Sequence, residues 1–202
     1  MAVVSTQAET VDAGHVQRRR GRRTMLAILA VCAAPIVLGT IAYFFWQPAG
    51  RTNFGELLPP KPFAMAATEL DGRPFDPKQF GGKWVLVVLD RPSCDEACQR
   101  KLFLIRQIRT AHGRDQSRVE RLWLLRRDGD VAATLQPLTT GATLARIAIE
   151  EDPSRLLGAT PERFVFLVDP QGNLMMRFAA DAEPKLIMKD LGKLLRINNR
   201  GS

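Results

Sequence analysis

Cys94 and Cys98 are the residues of this sequence best suited to chemistry, because they form the only closely spaced pair among three cysteines. They follow an apolar run and lie where a helix is predicted to begin, which places both sulfur atoms on one helix face. A helix N-terminus stabilises a thiolate, so the placement favours thiol–disulfide exchange or binding of a soft metal ion. A structural disulfide is the alternative. The neighbouring Asp95 and Glu96 would cap the helix but oppose a thiolate.

The positions of the two cysteines depend on the elements around them, which hydrophobic periodicity predicts. The Asp71-Gly72 pair predicts a hairpin turn near the start of the domain. The last helix should turn five apolar residues inward, namely Leu186, Ile187, Leu191, Leu194 and Leu195. The predicted elements are strands at 83–89, 119–125, 164–168 and 174–178, and helices at 95–111, 142–151 and 184–195. This order predicts a thioredoxin-like α/β domain with a mixed central sheet.

The N-terminal part predicts a membrane anchor. No charged residue occurs in residues 24–50, and an apolar segment of this length crosses a bilayer as a helix. Five arginines precede it, which should hold the N-terminus in the cytoplasm and place the C-terminal domain in the periplasm of a cell with an inner membrane. A cleaved signal peptide is the alternative, but the apolar run is long and no clean cleavage site follows it. Cys32, inside this run, is expected to pack as a small apolar residue.

The expected organisation has five parts. They are a cytoplasmic basic tail (1–23), a transmembrane helix (24–46), a Pro/Gly-rich linker (47–62), the thioredoxin-like domain (63–197) and a C-terminal tail (198–202).

The formal net charge of +8 invites a nucleic-acid interpretation, but no basic stripe interleaved with aromatics and no zinc-type spacing supports it. Much of the charge lies in the first 23 residues or in the arginines at 106, 109, 114, 118, 121, 126 and 127. We interpret this run as a solvated face, and docking on anionic lipid headgroups or on an acidic partner is the alternative. Asp128 and Asp130 are interpreted as turn residues.

Gly82-Lys83-Trp84, followed by Cys94 and Cys98 at their present spacing, resembles the Sco (SenC) family. The resemblance covers roughly residues 55–197. It implies a membrane-anchored thioredoxin-like protein that helps to assemble the copper centre of cytochrome c oxidase. In that family the two cysteines and a distant histidine bind copper, and the cysteines also cycle through a disulfide.

The sequence departs from that family at the copper ligands. Pro161 stands where the histidine is expected, and Gln99 stands where a proline follows the second cysteine. His15 lies before the apolar run, and His112 lies about 27 Å along the helix from Cys94, so His112 is expected to be an exposed polar residue. Two thiolates alone can hold Cu(I), so Cu(I) bound by Cys94 and Cys98 is the expected metal site, whereas the sequence offers no identifiable nitrogen or oxygen donor for Cu(II).

Thr160-Pro161 also stands near the place where thioredoxin-like oxidoreductases carry a cis-proline, although most X-Pro bonds are trans. The resulting hypothesis is a thiol–disulfide or Cu(I) chaperone in which Cys94 attacks and Cys98 resolves. Its partner would be the copper-site subunit of cytochrome c oxidase. The alternative is a non-catalytic, membrane-tethered interaction module with a structural Cys94–Cys98 disulfide.

Overall fold

The computed structural model describes residues 22, 24–41, 53–126 and 129–198, and the chain divides into two compact units, Met1–Arg51 and Thr52–Ser202. In the first unit, helix α1 (Thr24–Ile41) is long and apolar enough to cross a membrane. The remainder of the predicted span, residues 42–46, lies outside the described residues, as do the C-terminal residues 199–202.

The second unit is built on one mixed sheet of seven strands in the order β1-β7-β6-β3-β4-β5-β2. Neighbours β3, β4 and β5 are parallel, and the other pairings are antiparallel. The strands are β1 (Glu56–Pro62), β2 (Ala67–Glu69), β3 (Trp84–Asp90), β4 (Val119–Leu125), β5 (Thr143–Ile147), β6 (Phe164–Val168) and β7 (Asn173–Ala179). The predicted mixed central sheet is confirmed.

Two long helices and two short ones accompany the sheet. They are α2 (Glu96–Ala111), α3 (Gln136–Thr139), α4 (Ser154–Leu157) and α5 (Pro184–Asn198). Short 3-10 turns include Gly113–Arg118, directly after α2, and Pro161–Arg163, directly before β6.

The sheet has a separate apolar core on each face. Side chains alternate along a strand, so β3 sends Leu86 and Val88 to the core under α2 and α5, and Val85, Val87 and Leu89 to the other core. The inner side of α5 is buried at Ile187, Leu191 and Leu195, whereas Leu186 and Leu194 are half-buried. Because both faces are covered, β3 reads as an unbroken apolar run.

The predicted helix at 142–151 is wrong, because residues 143–147 form strand β5. This strand pairs in parallel with β4 and antiparallel with β2. Ala145 and Ile147 alternate into one core while Leu144 packs against the other, which is the two-residue period of a strand.

The predicted linker is wrong over residues 56–62, which form edge strand β1 against β7. Pro59 and Pro60 lie in the irregular stretch between the paired residues Leu57 and Lys61. An edge position tolerates prolines that cannot donate to a ladder. The folded unit therefore begins before residue 63.

Candidate functional site

The cysteine pair lies where the connection from β3 enters α2, at the end of the sheet where β3 finishes. Cys94 and Cys98 form a disulfide with an S–S distance of 1.97 Å and a Cα–Cα distance of 5.1 Å. Cys94 precedes α2 and Cys98 lies in its first turn. The pair predicted from spacing is therefore brought together.

Local hydrogen bonds fix the start of α2. Asp95 is its N-cap, and the side-chain Oδ1 accepts a hydrogen bond from the backbone N–H of Cys98 at 2.9 Å. The amide Nε2 of Gln99, which replaces the family's proline, donates to the carbonyl oxygen of Cys94 at 3.1 Å. These two bonds connect Asp95 to Cys98 and Cys94 to Gln99, so both cysteines are fixed to the first turn of α2.

Cys94 has a φ of +38°, and it is the single residue other than glycine with a positive φ in the described part of the chain. A left-handed backbone at a β-carbon-bearing residue costs about 1–3 kcal/mol and persists only where its surroundings impose it. Such backbone strain is concentrated at functional sites, so it marks Cys94 as a candidate functional residue.

Both sulfur-bearing residues are covered. Cys94 is 3% exposed and Cys98 is 0% exposed, and both belong to the core under α2 and α5. Cys94 is therefore only slightly more exposed than Cys98. Because both residues are buried, we expect a partner thiol to reach this disulfide only after neighbouring residues move.

Lys101 is a buried cation that the sequence reasoning missed. It is 1% exposed, lies three residues after Cys98 and forms an ion pair with Asp90 of β3 at 2.7 Å. Its Nζ also donates to the carbonyl oxygens of Leu89, at 3.4 Å, and of Glu162. Lys101 therefore connects three segments: the end of β3, the first turns of α2, and the turn before β6.

A sequence signal for Lys101 existed. Residues 98, 101, 105 and 108 follow the three- and four-residue spacing of one helix face, and all four are buried. A lysine on an apolar face must find acceptors inside the protein, which marks it as a candidate structural or site residue.

The turn Pro161–Arg163 contacts the same region. Pro161 is buried and its preceding peptide bond is trans, so the cis alternative is not realised. The Glu162 carboxylate pairs with Arg126. Burial acts to raise the pKa of Glu162, but a backbone hydrogen bond and the Arg126 guanidinium together hold it below the usual value.

Metal binding finds little support beyond the two thiols. Within residues 22, 24–41, 53–126 and 129–198, no group of three His, Cys, Asp or Glu side chains is placed to hold a metal ion. His112 ends α2, about 24 Å from its start, and does not approach the cysteines. The expectation that His112 is exposed is wrong: it is half-buried, and burial lowers its pKa. Once reduced, Cys94 and Cys98 would offer the soft donors that Cu(I) accepts.

The arginine-rich segment is only in part a solvated face. Arg121 is 3% exposed, and burial, together with the charges of Arg109 and Arg106, lowers its pKa. Its guanidinium donates to the carbonyl oxygens of Leu138, at 3.0 Å, and of Thr140. Other contacts are Arg109 to the Val119 carbonyl, Arg118 to Asp115 and the Leu195 carbonyl, and Arg126 to Glu162.

Of the remaining charged candidates, the described ones form no part of the site. Arg106, Arg114 and Asp130 are exposed, and Arg127 and Asp128 lie outside the described residues. A cavity of about 690 Å³ opens beside Phe63, Phe80 and Val85. It adjoins the start of β3, at the opposite end from the cysteines, so it is not part of this site.

Comparisons with known proteins agree with this architecture. The family described as "Transmembrane-like, thioredoxin-like, C-terminal domain" matches residues 84–198, and "Transmembrane-like, N-terminal domain" matches residues 15–45. No curated protein matches the chain significantly. Single-pass membrane anchoring through α1 is consistent with the second family.

Solved structures share the fold. Apo Sco1 from Thermus thermophilus is 21% identical with a TM-score of 0.58, covering 72% of this chain and 99% of that one. Yeast Sco1 with copper bound is 14% identical with a TM-score of 0.51, covering 73% and 95%. A thiol:disulfide interchange protein from a Bacteroides species is 15% identical with a TM-score of 0.50, covering 70% and 90%.

At these identities the similarity shows the fold, so the predicted thioredoxin-like domain is confirmed and the resemblance to Sco proteins holds for the fold. Residues 84–198 are more than half of the 202-residue chain. The chain therefore belongs to the transmembrane-like, thioredoxin-like family.

Proposed function

We propose that this protein is a membrane-anchored thiol–disulfide protein whose Cys94–Cys98 pair exchanges electrons with cysteines of a partner. The observation that carries the proposal is the disulfide at the N-terminus of α2, with its first cysteine in a left-handed backbone conformation. A helix N-terminus stabilises an attacking thiolate, and a cysteine one turn later is within reach to resolve a mixed disulfide.

The reaction transfers two electrons in two displacements. The Cys94 thiolate attacks a partner disulfide, which forms a mixed disulfide and releases one partner thiolate to take up a proton. The Cys98 thiolate then attacks the Cys94 sulfur, which re-forms the Cys94–Cys98 disulfide and releases the second partner thiolate. The partner is reduced and this protein is oxidised, so a dithiol reductant must regenerate it.

We further propose that the partner is the copper-site subunit of a respiratory cytochrome oxidase, whose cysteines must be reduced before metallation. The fold shared with Sco1 proteins supports this assignment. Carriage of Cu(I) by the reduced pair is a variant of the same function, because two thiolates suffice for Cu(I).

A trapping experiment tests the exchange step. Cys98→Ser leaves the attacking thiol unresolved and should accumulate mixed disulfides, whereas Cys94→Ser should trap far fewer. Cys32→Ser is the matched control and should leave trapping unchanged. Partners are identified by mass spectrometry after non-reducing electrophoresis. Equal, negligible trapping by both variants would contradict the proposed roles.

Metal binding needs a separate measurement. The reduced chain is titrated with Cu(I) against a competing chelator, and we expect binding that is lost in Cys94→Ser/Cys98→Ser. Little Cu(II) binding is expected, because within the described residues no histidine lies beside the thiols. Undiminished Cu(I) binding by the double serine variant would place any copper elsewhere.

The burial of both sulfur-bearing residues favours a second candidate, a tethered interaction module with a structural disulfide. The reduction potential distinguishes the two. A structural bridge remains oxidised in glutathione mixtures that reduce a working one.

We also propose that the N-terminal tail is cytoplasmic and the thioredoxin-like domain periplasmic, at the inner membrane. The five arginines before α1 support this orientation. A reporter fused after Ser202 that is active only outside the cytoplasm should be active, and neutralising the five arginines should weaken its activity. Activity of a cytoplasm-only reporter at that position would contradict the orientation.

A further inference from the structure

Helix α5 presents a row of cationic side chains on the side opposite its apolar contacts. Its inner residues Ile187, Leu191 and Leu195 are buried in the core. Positions 185, 189, 193 and 196 carry Lys, Lys, Lys and Arg, and at 100° per residue these four fall within one quarter of the helix circumference. Lys185, Lys189 and Arg196 are exposed, and within the described part of the chain they form no ion pair.

The single carboxylate of α5, Asp190, offsets only Lys193 of this row. Asp190 is 2% exposed, and its Oδ2 accepts hydrogen bonds from the backbone N–H groups of Phe54, at 2.5 Å, and Gly55, at 3.0 Å. Its Oδ1 pairs with Lys193 at 3.1 Å. The negative charge of α5 is therefore directed into the protein and the positive charge outward.

The turn after α2 extends the positive surface. The Arg118 guanidinium donates to the carbonyl oxygen of Leu195 at 3.1 Å, which holds the turn Gly113–Arg118 beside the last turns of α5. The same guanidinium neutralises Asp115 at 3.1 Å, and Arg114 is exposed. Ile197, next to Arg196, is 69% exposed. We call Arg114, Lys185, Lys189, Arg196 and Ile197 the basic face.

The chain that leads to the anchor joins the domain at the same helix, since Asp190 binds the backbone of residues 54 and 55. Only eleven residues, 42–52, separate Ile41 from Asn53, and they span at most about 40 Å when fully extended. A short tether keeps lipid headgroups at high effective concentration around the domain.

We propose that the basic face binds anionic phospholipid headgroups at the surface of the bilayer that holds α1. The basic face has four cations that form no ion pair with any other described residue, and one exposed aliphatic side chain, which is the composition of a surface that binds an anionic membrane. Each cation near such a surface contributes about a fivefold gain in the docked population. The proposal depends on the anchor and is independent of the thiol chemistry, so either can fail alone.

The test uses the full chain in lipid nanodiscs with a donor fluorophore attached after Ser202 and an acceptor on lipid headgroups. In discs containing a quarter phosphatidylglycerol, energy transfer should exceed that in discs of phosphatidylcholine alone. The excess should disappear in Arg114→Gln/Lys185→Gln/Lys189→Gln/Arg196→Gln. It should also fall steeply between 50 mM and 500 mM salt, because salt screens exposed charges.

The matched control neutralises four exposed cations outside the basic face, in Lys61→Gln/Lys78→Gln/Arg155→Gln/Arg163→Gln. This variant loses the same net charge and should keep the excess energy transfer. Circular dichroism and the redox state of the disulfide verify that both variants are folded. Equal transfer in the two kinds of disc, or equal loss in both variants, would overturn the proposal. The first result would indicate that the basic face binds an acidic protein instead. The second would indicate that net charge, and not the basic face, determines the binding to lipid.

Discussion

Replacing Lys101 by methionine tests whether the buried cation holds the cysteine-bearing end of the domain together. Methionine has a similar length and a helix propensity close to that of lysine, so α2 itself should form normally. The substitution removes the donor that serves the Asp90 carboxylate and the carbonyl oxygens of Leu89 and Glu162.

The expected cost follows from the burial of the pair. The Lys101 and Asp90 side chains are 2% and 15% exposed, so the carboxylate left behind cannot be fully solvated. Removing one member of a buried pair costs about 3–5 kcal/mol, whereas replacing both by apolar groups of similar volume is often nearly neutral. We expect Lys101→Met to lower the free energy of unfolding by about 3 kcal/mol or more. Lys101→Met/Asp90→Leu should recover the part of that loss that comes from the unpaired carboxylate, while the carbonyl oxygens of Leu89 and Glu162 still lack the lysine donor.

Urea unfolding of the oxidised unit Thr52–Ser202, followed by far-ultraviolet circular dichroism, measures the effect. Arg100→Met is the matched control, because Arg100 is the neighbouring cation in α2 and its pair with Glu96 is solvent-exposed. That control should change stability by less than about 0.5 kcal/mol. A loss below about 1 kcal/mol for Lys101→Met, or no recovery in the double variant, would refute the reasoning.

Three further predictions use the same unfolding measurement. Arg121→Met should cost about 2 kcal/mol, because it leaves the carbonyl oxygens of Leu138 and Thr140 without a donor, and a neutral result would show that water replaces the guanidinium. Burial lowers the pKa of His112 from 6.5, so the unfolded chain binds this proton more readily and stability falls as the pH drops below about 6.5. His112→Gln should remove that part of the pH dependence, and parallel profiles for variant and parent would contradict it. Reduction of the disulfide, which closes a loop of only a few residues, should cost about 2 kcal/mol in the chain-entropy description, and a cost near zero would mean that the reduced loop stays ordered.

The sequence predicts those parts of the fold that a local pattern of residues determines. The strands over residues 119–125 and 164–168 are observed with the predicted bounds. Residues 164–168 are an unbroken apolar run, and residues 119–125 end in the apolar run 122–125, which is the pattern of strands buried on both faces. Strand β5 is different. Its five residues Thr143–Ile147 fit a helical pattern equally well, and only the neighbouring strands β4 and β2 decide between the two. Strand β1 carries Pro59 and Pro60, which locally indicate a linker.

The candidate site also has residues that a local pattern predicts and residues that only the tertiary structure brings together. The cysteine pair and its capping aspartate are evident from their order along the chain, since Asp95 lies three residues before Cys98, whose backbone N–H donates to its carboxylate. Lys101 binds groups 11, 12 and 61 residues away, which no local pattern can bring together. The same holds for Arg121, which occupies an alternating strand position and finds its acceptors in the α3 region.

The burial of the cysteines links the redox and structural interpretations to a single quantity, the free energy of opening the segment between Asp90 and Glu96. If opening is costly, the disulfide is inert whatever its reduction potential, because an incoming thiolate must approach a sulfur atom directly. The strained backbone of Cys94 works in the opposite direction, since about 1–3 kcal/mol of strain is released when the segment opens. Lys101 opposes opening by connecting Asp90 to α2 and to the turn before β6. Lys101→Met should therefore exchange faster with glutathione than the parent, at a rate that rises with the measured loss of stability. An exchange rate that stays constant while stability falls would mean that opening of the segment between Asp90 and Glu96 does not control access to the disulfide.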